Sequence, residues 1–382
     1  MQDMIQRRVV QELINRLRSN PTVALLGPRQ CGKTTLAKSL GGAYFDLEQE
    51  TDRLRLDLEW NRLAAGTELV ILDEAQAWPA VFNRLRGVVD ADRQRHGRFL
   101  LLGSVSPALM RQVSESLAGR LSLVDLTPFL ATELGPESLV PLWLYGGYPE
   151  GGVLDPARYP RWQRDYLTLL TQRDLPLWGL PAKPQTTDRL LKMLAAWHGQ
   201  TWNASRVGQS MGLDSKTVSS YLDYLEGAFL VRRLPPYQAN IRKRLVKSPK
   251  VYWRDSGLLH ALLNVPDTAA LLAQPWVGAS WEGFVIEQTL GVLSAAGRAF
   301  EAYYFRTADQ YELDLVLDLG RELWAVEIKL TAFPTAADRG RLDKAADLIH
   351  AGRRFLVSQT EECLWGDQTA SCNLREFLRQ VG

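Results

Sequence analysis

Gly27-Pro-Arg-Gln-Cys-Gly32-Lys33-Thr34 carries two glycines separated by four residues and followed by Lys and Thr. A loop of this pattern turns its backbone N–H groups around a phosphate, and the glycines permit the turn. The apolar run Thr22–Leu26 before it reads as a buried strand. Thr34–Leu40 after it reads as a helix, whose N-terminus favours an anion. The pattern predicts a nucleotide site formed by Gly27, Pro28, Arg29, Gln30, Cys31, Gly32, Lys33, Thr34 and Thr35. Lys33 would reach the β- and γ-phosphates of ATP, and the Thr34 hydroxyl would ligate Mg2+.

A second apolar strand, Glu68-Leu-Val-Ile-Leu-Asp73-Glu74, ends in two carboxylates. Asp73 is placed to hold Mg2+ through water, and Glu74 to polarise the water that attacks the γ-phosphate. On its own the pair reads equally as an acidic turn. Gln76 follows closely enough to sense the γ-phosphate. Arg98-Phe-Leu-Leu-Leu-Gly-Ser104 is a further buried strand with a polar tip, where Ser104 is either a sensor beside the attacking water or a plain strand end.

The chain has 382 residues, 46% hydrophobic, with a formal net charge of +2. That length predicts two or three domains with real cores. No apolar run is long enough for a membrane span, and the first residues have no signal-peptide core. Cys31, Cys363 and Cys372 form no disulfide or zinc pattern, which points to a reducing compartment and a soluble, cytoplasmic protein.

Strands alternate with helices at about 22–27, 43–48, 69–73, 98–103 and 121–126, the rhythm of a parallel sheet covered on both faces. Ligands of such sheets sit at the carboxyl ends of the strands, where Gly27–Thr34, Asp73, Glu74 and Ser104 converge. Leu117-Ala-Gly-Arg120 precedes the last strand. Arg120 would reach a γ-phosphate in its own subunit, or a neighbour's in a homo-oligomer, or else cap the strand at the surface. Pro136–Pro184 reads as a helical lid or connector, with a helix near Pro160–Arg173. Asn203–Met211, the turn Gly212–Asp214 and Ser215–Leu225 make a helix-turn-helix pattern, and Phe229–Leu234 supplies the first strand of a wing. Between Arg232 and Arg254 stand Arg232, Arg233, Arg242, Lys243, Arg244, Lys247, Lys250 and Arg254, with no Asp or Glu. This predicts DNA contacts that are mostly to the backbone, because the recognition helix offers Lys216 as its sole cation. The alternative is a winged helix used for protein contacts.

Tyr311-Glu-Leu-Asp314-Leu-Val-Leu317 and Leu323-Trp-Ala-Val-Glu327-Ile-Lys329 read as two strands joined by the turn Asp318–Glu322. Residues two apart share a face, so Glu327 and Lys329 point together and Asp314 approaches from the partner strand. Asp314 and Glu327 ligating Mg2+ beside Lys329 would activate water against a phosphodiester. Glu282, on the helix Trp281–Leu290, would add a third carboxylate. The alternative is a hairpin with an ordinary cross-strand ion pair.

Taken in order, the Gly-Pro-Arg-Gln loop, Leu72-Asp-Glu-Ala-Gln76, Leu117-Ala-Gly-Arg120, the winged helix, Tyr252-Trp-Arg-Asp255-Ser-Gly-Leu258 and Arg306…Glu312-Leu-Asp314…Glu327-Ile-Lys329 resemble the prokaryotic AAA-type P-loop ATPases with a C-terminal domain of unknown function. The resemblance spans nearly the whole chain. It implies an α/β protein made of a P-loop parallel-sheet ATPase core (1–135), a helical lid or connector (136–186), a winged helix-turn-helix (187–255) and an α/β restriction-endonuclease-like PD-(D/E)xK domain (256–382). It assigns Lys33, Thr34, Asp73 and Glu74 to ATP chemistry, and Glu282, Asp314, Glu327 and Lys329 to the nuclease-like site. Two functions follow: an ATPase coupled to DNA binding and metal-dependent cleavage, or a nucleotide-controlled module whose C-terminal domain binds DNA or a protein without cutting.

Overall fold

A computed structural model of the chain describes residues 5–103, 117–238, 245–309 and 311–382. Five parallel strands, β1 (Thr22–Leu26), β2 (Ala43–Asp46), β3 (Val70–Asp73), β4 (Phe99–Gly103) and β5 (Leu121–Asp125), form a sheet in the order β2-β3-β4-β1-β5. Every residue of β1, β3 and β4 is buried. Alternation explains how: Val23, Leu25, Ile71, Leu100 and Leu102 enter one core, while Ala24, Leu26, Val70, Leu72 and Leu101 enter the other. Strands buried on both faces read as unbroken apolar runs, which is what made them visible in the sequence. Helices α1 (Val10–Ser19), α2 (Lys33–Ser39), α3 (Glu50–Ala65) and α4 (Ala80–Ala91) accompany the sheet.

A second sheet is antiparallel and small: β6 (Gln200–Thr201), β7 (Val231–Leu234) and β8 (Lys250–Trp253), in the order β6-β8-β7. It follows the helices Pro184–Ala196, Ala204–Met211 and Ser215–Gly227. Asn203 caps the middle helix, accepting the Arg206 N–H at 3.0 Å, and Gly212 ends it at φ +70°. The third sheet has six strands: β9 (Glu301–Arg306), β10 (Glu312–Asp318), β11 (Leu323–Ile328), β12 (Arg353–Ser358), β13 (Leu364–Trp365) and β14 (Thr369–Asn373). β9, β10 and β11 pair antiparallel, and β11 continues in parallel to β12 and β14.

The three parts are fused rather than strung together. Phe284, Leu290 and Val292 of the long helix Val277–Ala295 lie in the same core as Val124 and Leu126 at the end of β5. The Asp255-Ser-Gly-Leu258 stretch ties the connector to this helix. Asp255 caps the helix Ser256–Leu262 by accepting the Leu258 N–H at 2.9 Å, and its other oxygen accepts the Gly147 N–H at 2.8 Å. A Cβ on Gly257 would lie 1.9 Å from the Tyr145 carbonyl oxygen, so this approach requires glycine. No described helix is long and apolar enough to cross a membrane.

His260, fully buried, joins three segments. Its Nδ1 lies 2.9 Å from the Leu144 carbonyl, which can only accept, so Nδ1 carries the hydrogen. Nε2, 2.7 Å from Ser280 Oγ, then accepts the hydroxyl hydrogen, and Ser280 in turn accepts the Trp143 indole N–H at 3.0 Å. Burial lowers the His260 pKa from 6.5 to about 4. Between those values the unfolded chain binds a proton that the folded chain does not, so stability is lost as pH falls from about 6.5 to about 4. Denaturation measured across that window should show this loss, up to roughly 3 kcal/mol from His260. His260→Gln should flatten the acid limb; an unchanged slope would show that the residue does not titrate on unfolding.

Candidate functional site

The loop after β1 is shaped by a close backbone approach. A Cβ on Gly27 would fall 2.2 Å from the Leu126 carbonyl oxygen. Gln30 (φ +60°) and Gly32 (φ +99°) then turn the chain through left-handed conformations into α2. The Lys33 ammonium, although buried, is satisfied within the loop: it donates to the carbonyls of Gly27 (2.9 Å) and Pro28 (2.8 Å).

Asp73, at the end of β3, draws the neighbouring strands' groups to one point. Its Oδ2 accepts the hydroxyls of Thr34 (2.7 Å) and Tyr44 (2.8 Å), and its Oδ1 accepts the Glu74 N–H at 3.0 Å. Burial and the Asp73 carboxylate raise the Tyr44 pKa, which keeps the phenol a donor. Glu74 adopts φ +46°, a conformation that costs a non-glycine residue roughly 1–3 kcal/mol and that recurs at functional sites. Burial raises its carboxyl pKa against the opposing pull of Lys33 and Arg29. Gln76 donates its amide N–H to Glu74 and leaves its own carbonyl oxygen buried without a partner.

Above these groups opens a cavity of about 1340 Å3. Lys33, Thr34, Thr35, Asp73 and Glu74 line its floor, and Tyr166, Arg173 and Asp174 of the connector line the opposite side. Arg29 crosses between the two, ion-paired with Asp174 and 3.7 Å from Glu48. The volume admits a nucleoside triphosphate. The Thr34 hydroxyl and Asp73 carboxylate fit Mg2+, a hard cation held by oxygen ligands and substrate phosphates.

Sequence reasoning missed Arg7, which carries no motif. It is buried and donates to Glu133 (3.1 Å), to the Cys31 carbonyl (3.0 Å) and to the Thr127 carbonyl (2.6 Å), fastening the phosphate loop to the segment after β5. Two expectations need correction. The Cys31 side chain turns into the core, 3.6 Å from the Leu126 carbonyl, and does not line the cavity. Arg120 precedes Leu121, which pairs with Thr22 at the start of β1, so it stands at the opposite end of the sheet from the phosphate loop. There it holds Asp90 at 2.8 and 2.9 Å, the surface role, and cannot serve the phosphates of its own subunit. Ser104 lies outside the described residues.

The second set of predicted residues also comes together. Leu315 pairs with Val326, which sets Asp314 of β10 beside the end of β11. Asp314 accepts the Ile328 N–H at 2.8 Å, and Lys329 Nζ lies 2.5 Å from Glu327 Oε1. The long helix delivers Glu282, as the sequence predicted. Nothing near Glu282 in the sequence signals what meets it: Lys250 Nζ of β8 lies 3.0 Å from Glu282 and 2.9 Å from Glu312. Burial, with Glu327 and Glu282 nearby, pushes the Asp314 carboxyl well above its usual range, and burial raises Glu327 as well. Burial disfavours the Lys250 charge, but Glu282, Asp314 and Glu312 outweigh it and raise its pKa. Among the described residues no three His, Cys, Asp or Glu side chains are arranged to hold a metal ion. In this structure Lys329 meets Glu327, and Lys250 meets Glu282 and Glu312, beside the Asp314 carboxyl.

The basic segment requires a similar correction. Its lack of acids is made good from elsewhere: Arg232 pairs with Glu287 (3.0 Å), Arg254 with the same carboxylate (3.1 Å), and Arg233 with Asp223 (2.8 Å) and Glu226 (2.7 Å). With Lys250, four of the eight cations are committed inside the molecule. Lys247 is exposed, and Arg242, Lys243 and Arg244 lie outside the described residues.

Comparison with known proteins finds three family models along the chain. A model of an AAA domain matches residues 19–135. Models of two domains of unknown function, DUF8612 and DUF4143, match residues 136–269 and 277–377. Uncharacterized protein Mb2031c of Mycobacterium bovis and uncharacterized protein Rv2008c of Mycobacterium tuberculosis are each 38% identical over 381 residues, covering 96% of this chain and 85% of theirs. The solved structure of AMPPCP-bound DnaA from Aquifex aeolicus is 14% identical and covers 57% of this chain and 86% of that one, with a TM-score of 0.27.

Removing Arg7 would leave the Glu133 carboxylate, itself 2% exposed, without its cation. Arg7→Met should therefore cost several kcal/mol, about 3–5 for a broken buried pair, and lower the thermal midpoint accordingly. A midpoint within a degree of the parent would show that the loop needs no such fastening.

Proposed function

Because the chain belongs to the family of AAA-domain proteins represented by these mycobacterial sequences, we propose that it binds and hydrolyses ATP, using Lys33, Thr34, Asp73 and Glu74. The observation that carries the proposal is the meeting of Thr34, Asp73 and Glu74 at the floor of one cavity beside Lys33. The Lys33 ammonium, drawn from its loop carbonyls, binds the β- and γ-phosphates. Thr34 and Asp73 would hold Mg2+, which would supply charge neutralisation on those phosphates. Glu74 orients the attacking water and takes its proton, and its raised pKa makes it a better base than an exposed glutamate. Arg29, paired with Asp174, couples the loop to the connector, so the connector would respond to nucleotide.

The C-terminal domain is better read as a nucleotide-controlled interaction module than as an active nuclease. Lys250 in the carboxylate set favours that reading. DNA would be engaged through the backbone by Arg242, Lys243, Arg244 and the exposed Lys247.

Lys33→Ala should weaken ATP binding, whereas Glu74→Gln should retain binding and lower turnover about 100-fold or more. Direct binding and phosphate-release assays separate the two, and parental turnover in Glu74→Gln would remove Glu74 from the catalytic role. For DNA, phosphate contacts by these four cations would give a slope of log affinity against log salt of about −4. Replacing Arg242, Lys243 and Arg244 by Ala should flatten it by about 3. An unchanged slope favours protein contacts instead.

A further inference from the structure

Four carboxylates, Glu282, Glu312, Asp314 and Glu327, meet where β8, β10, β11 and the helix Val277–Ala295 come together. Lys250 and Lys329 are the two ammoniums paired with them. Arg306 Nε, 3.7 Å from Glu312, adds a third cation, so four carboxyl groups face three cations and the set is still one short. The Glu327 side chain shows where: Glu327 is 7% exposed, its Oε1 meets Lys329, and its Oε2 is buried with no partner. Lys250 enters from a different sheet. Its side chain is 5% exposed and bridges Glu282 and Glu312, while the Tyr252 hydroxyl, two residues along β8, donates to the same Glu282 oxygen. Glu287, five residues further along that helix, holds Arg232 of β7 and Arg254 beyond β8. One helix therefore grips two of the three strands of the small sheet, β7 and β8, by their cations.

We propose that Lys250 is a built-in competitor of a divalent cation, so that the Glu282, Asp314 and Glu327 carboxylates take a metal only when β8 withdraws its lysine. An ammonium on a four-carbon stem replaces one charge of the two that a divalent cation would bring, and it satisfies carboxylate oxygens without the oxygen-ligand geometry that a metal demands. Withdrawal leaves the carboxylates facing one another, an arrangement that a cation relieves. The small sheet thereby acts as a stopper whose seating decides the metal content of the third sheet.

The test uses Mn2+ as probe on the full chain, without nucleotide so that the phosphate site takes none, with binding read by titration calorimetry and by the shift in thermal midpoint. Lys250→Met keeps the stem and removes the charge. It should bind one Mn2+ per chain at least about tenfold more tightly than the parent, and Mn2+ should raise its midpoint but not the parent's. Adding Glu327→Gln to Lys250→Met should abolish the gain. If Lys250→Met does not fold, Glu312→Gln loosens the lysine from the partly exposed member of the set, and Mn2+ affinity should rise several-fold. Parental Mn2+ affinity in Lys250→Met, tight binding by the parent that Glu327→Gln removes, or a fall in affinity in Glu312→Gln would each overturn the proposal.

Discussion

Asp73 is the carboxylate on which the nucleotide end of the molecule depends. It accepts from Thr34 of the loop-helix unit, from Tyr44 of the neighbouring strand and from the backbone of Glu74. The loop-helix unit and β2 are thereby tied to the end of β3 at the carboxyl edge of one parallel sheet. The strand order β2-β3-β4-β1-β5 makes this possible, because β4 between β3 and β1 separates the acidic strand end from the phosphate loop and leaves room for a ligand.

Among the described residues, several buried or partly buried cations span two segments, whereas Lys33 is satisfied within its own loop. Arg7 joins the N-terminal segment to the loop and to Glu133, Arg29 joins the loop to Asp174, Arg232 and Arg254 share Glu287, and Lys250 bridges Glu282 and Glu312. Breaking such a pair costs far more than forming it contributes, so these contacts fix relative placement more than they add stability. Nucleotide binding and the seating of the small sheet act on the same kind of contact, a charged side chain that can exchange an internal partner for an external one.

What could be read in the sequence was local. The loop Gly27–Thr34 and the ends of β3 and β10 announced themselves because their chemistry lies within a few residues, and Asn203 and Gly212 marked a helix by its caps. The apolar strands of the first sheet were legible because both faces are buried. Long-range pairing was not legible. Arg7 meets Glu133 and Lys250 meets Glu282 across long stretches of chain, and nothing near either residue signals its partner. The basic segment illustrates the consequence: free of acids in sequence, it has Arg232, Arg233, Lys250 and Arg254 paired with acids that the fold brings to it. Arg120 stayed open between a phosphate role and a surface cap for a related reason, since proximity to a strand does not say which end of the sheet it serves.

The nucleotide assignment is tested most directly by following phosphate release from ATP by the full chain, once with Mg2+ and once with EDTA. The account predicts release that saturates with ATP and occurs only with Mg2+, as a site built from Lys33, Thr34, Asp73 and Glu74 requires. A chain that retains no ATP under either condition and releases no phosphate would contradict it.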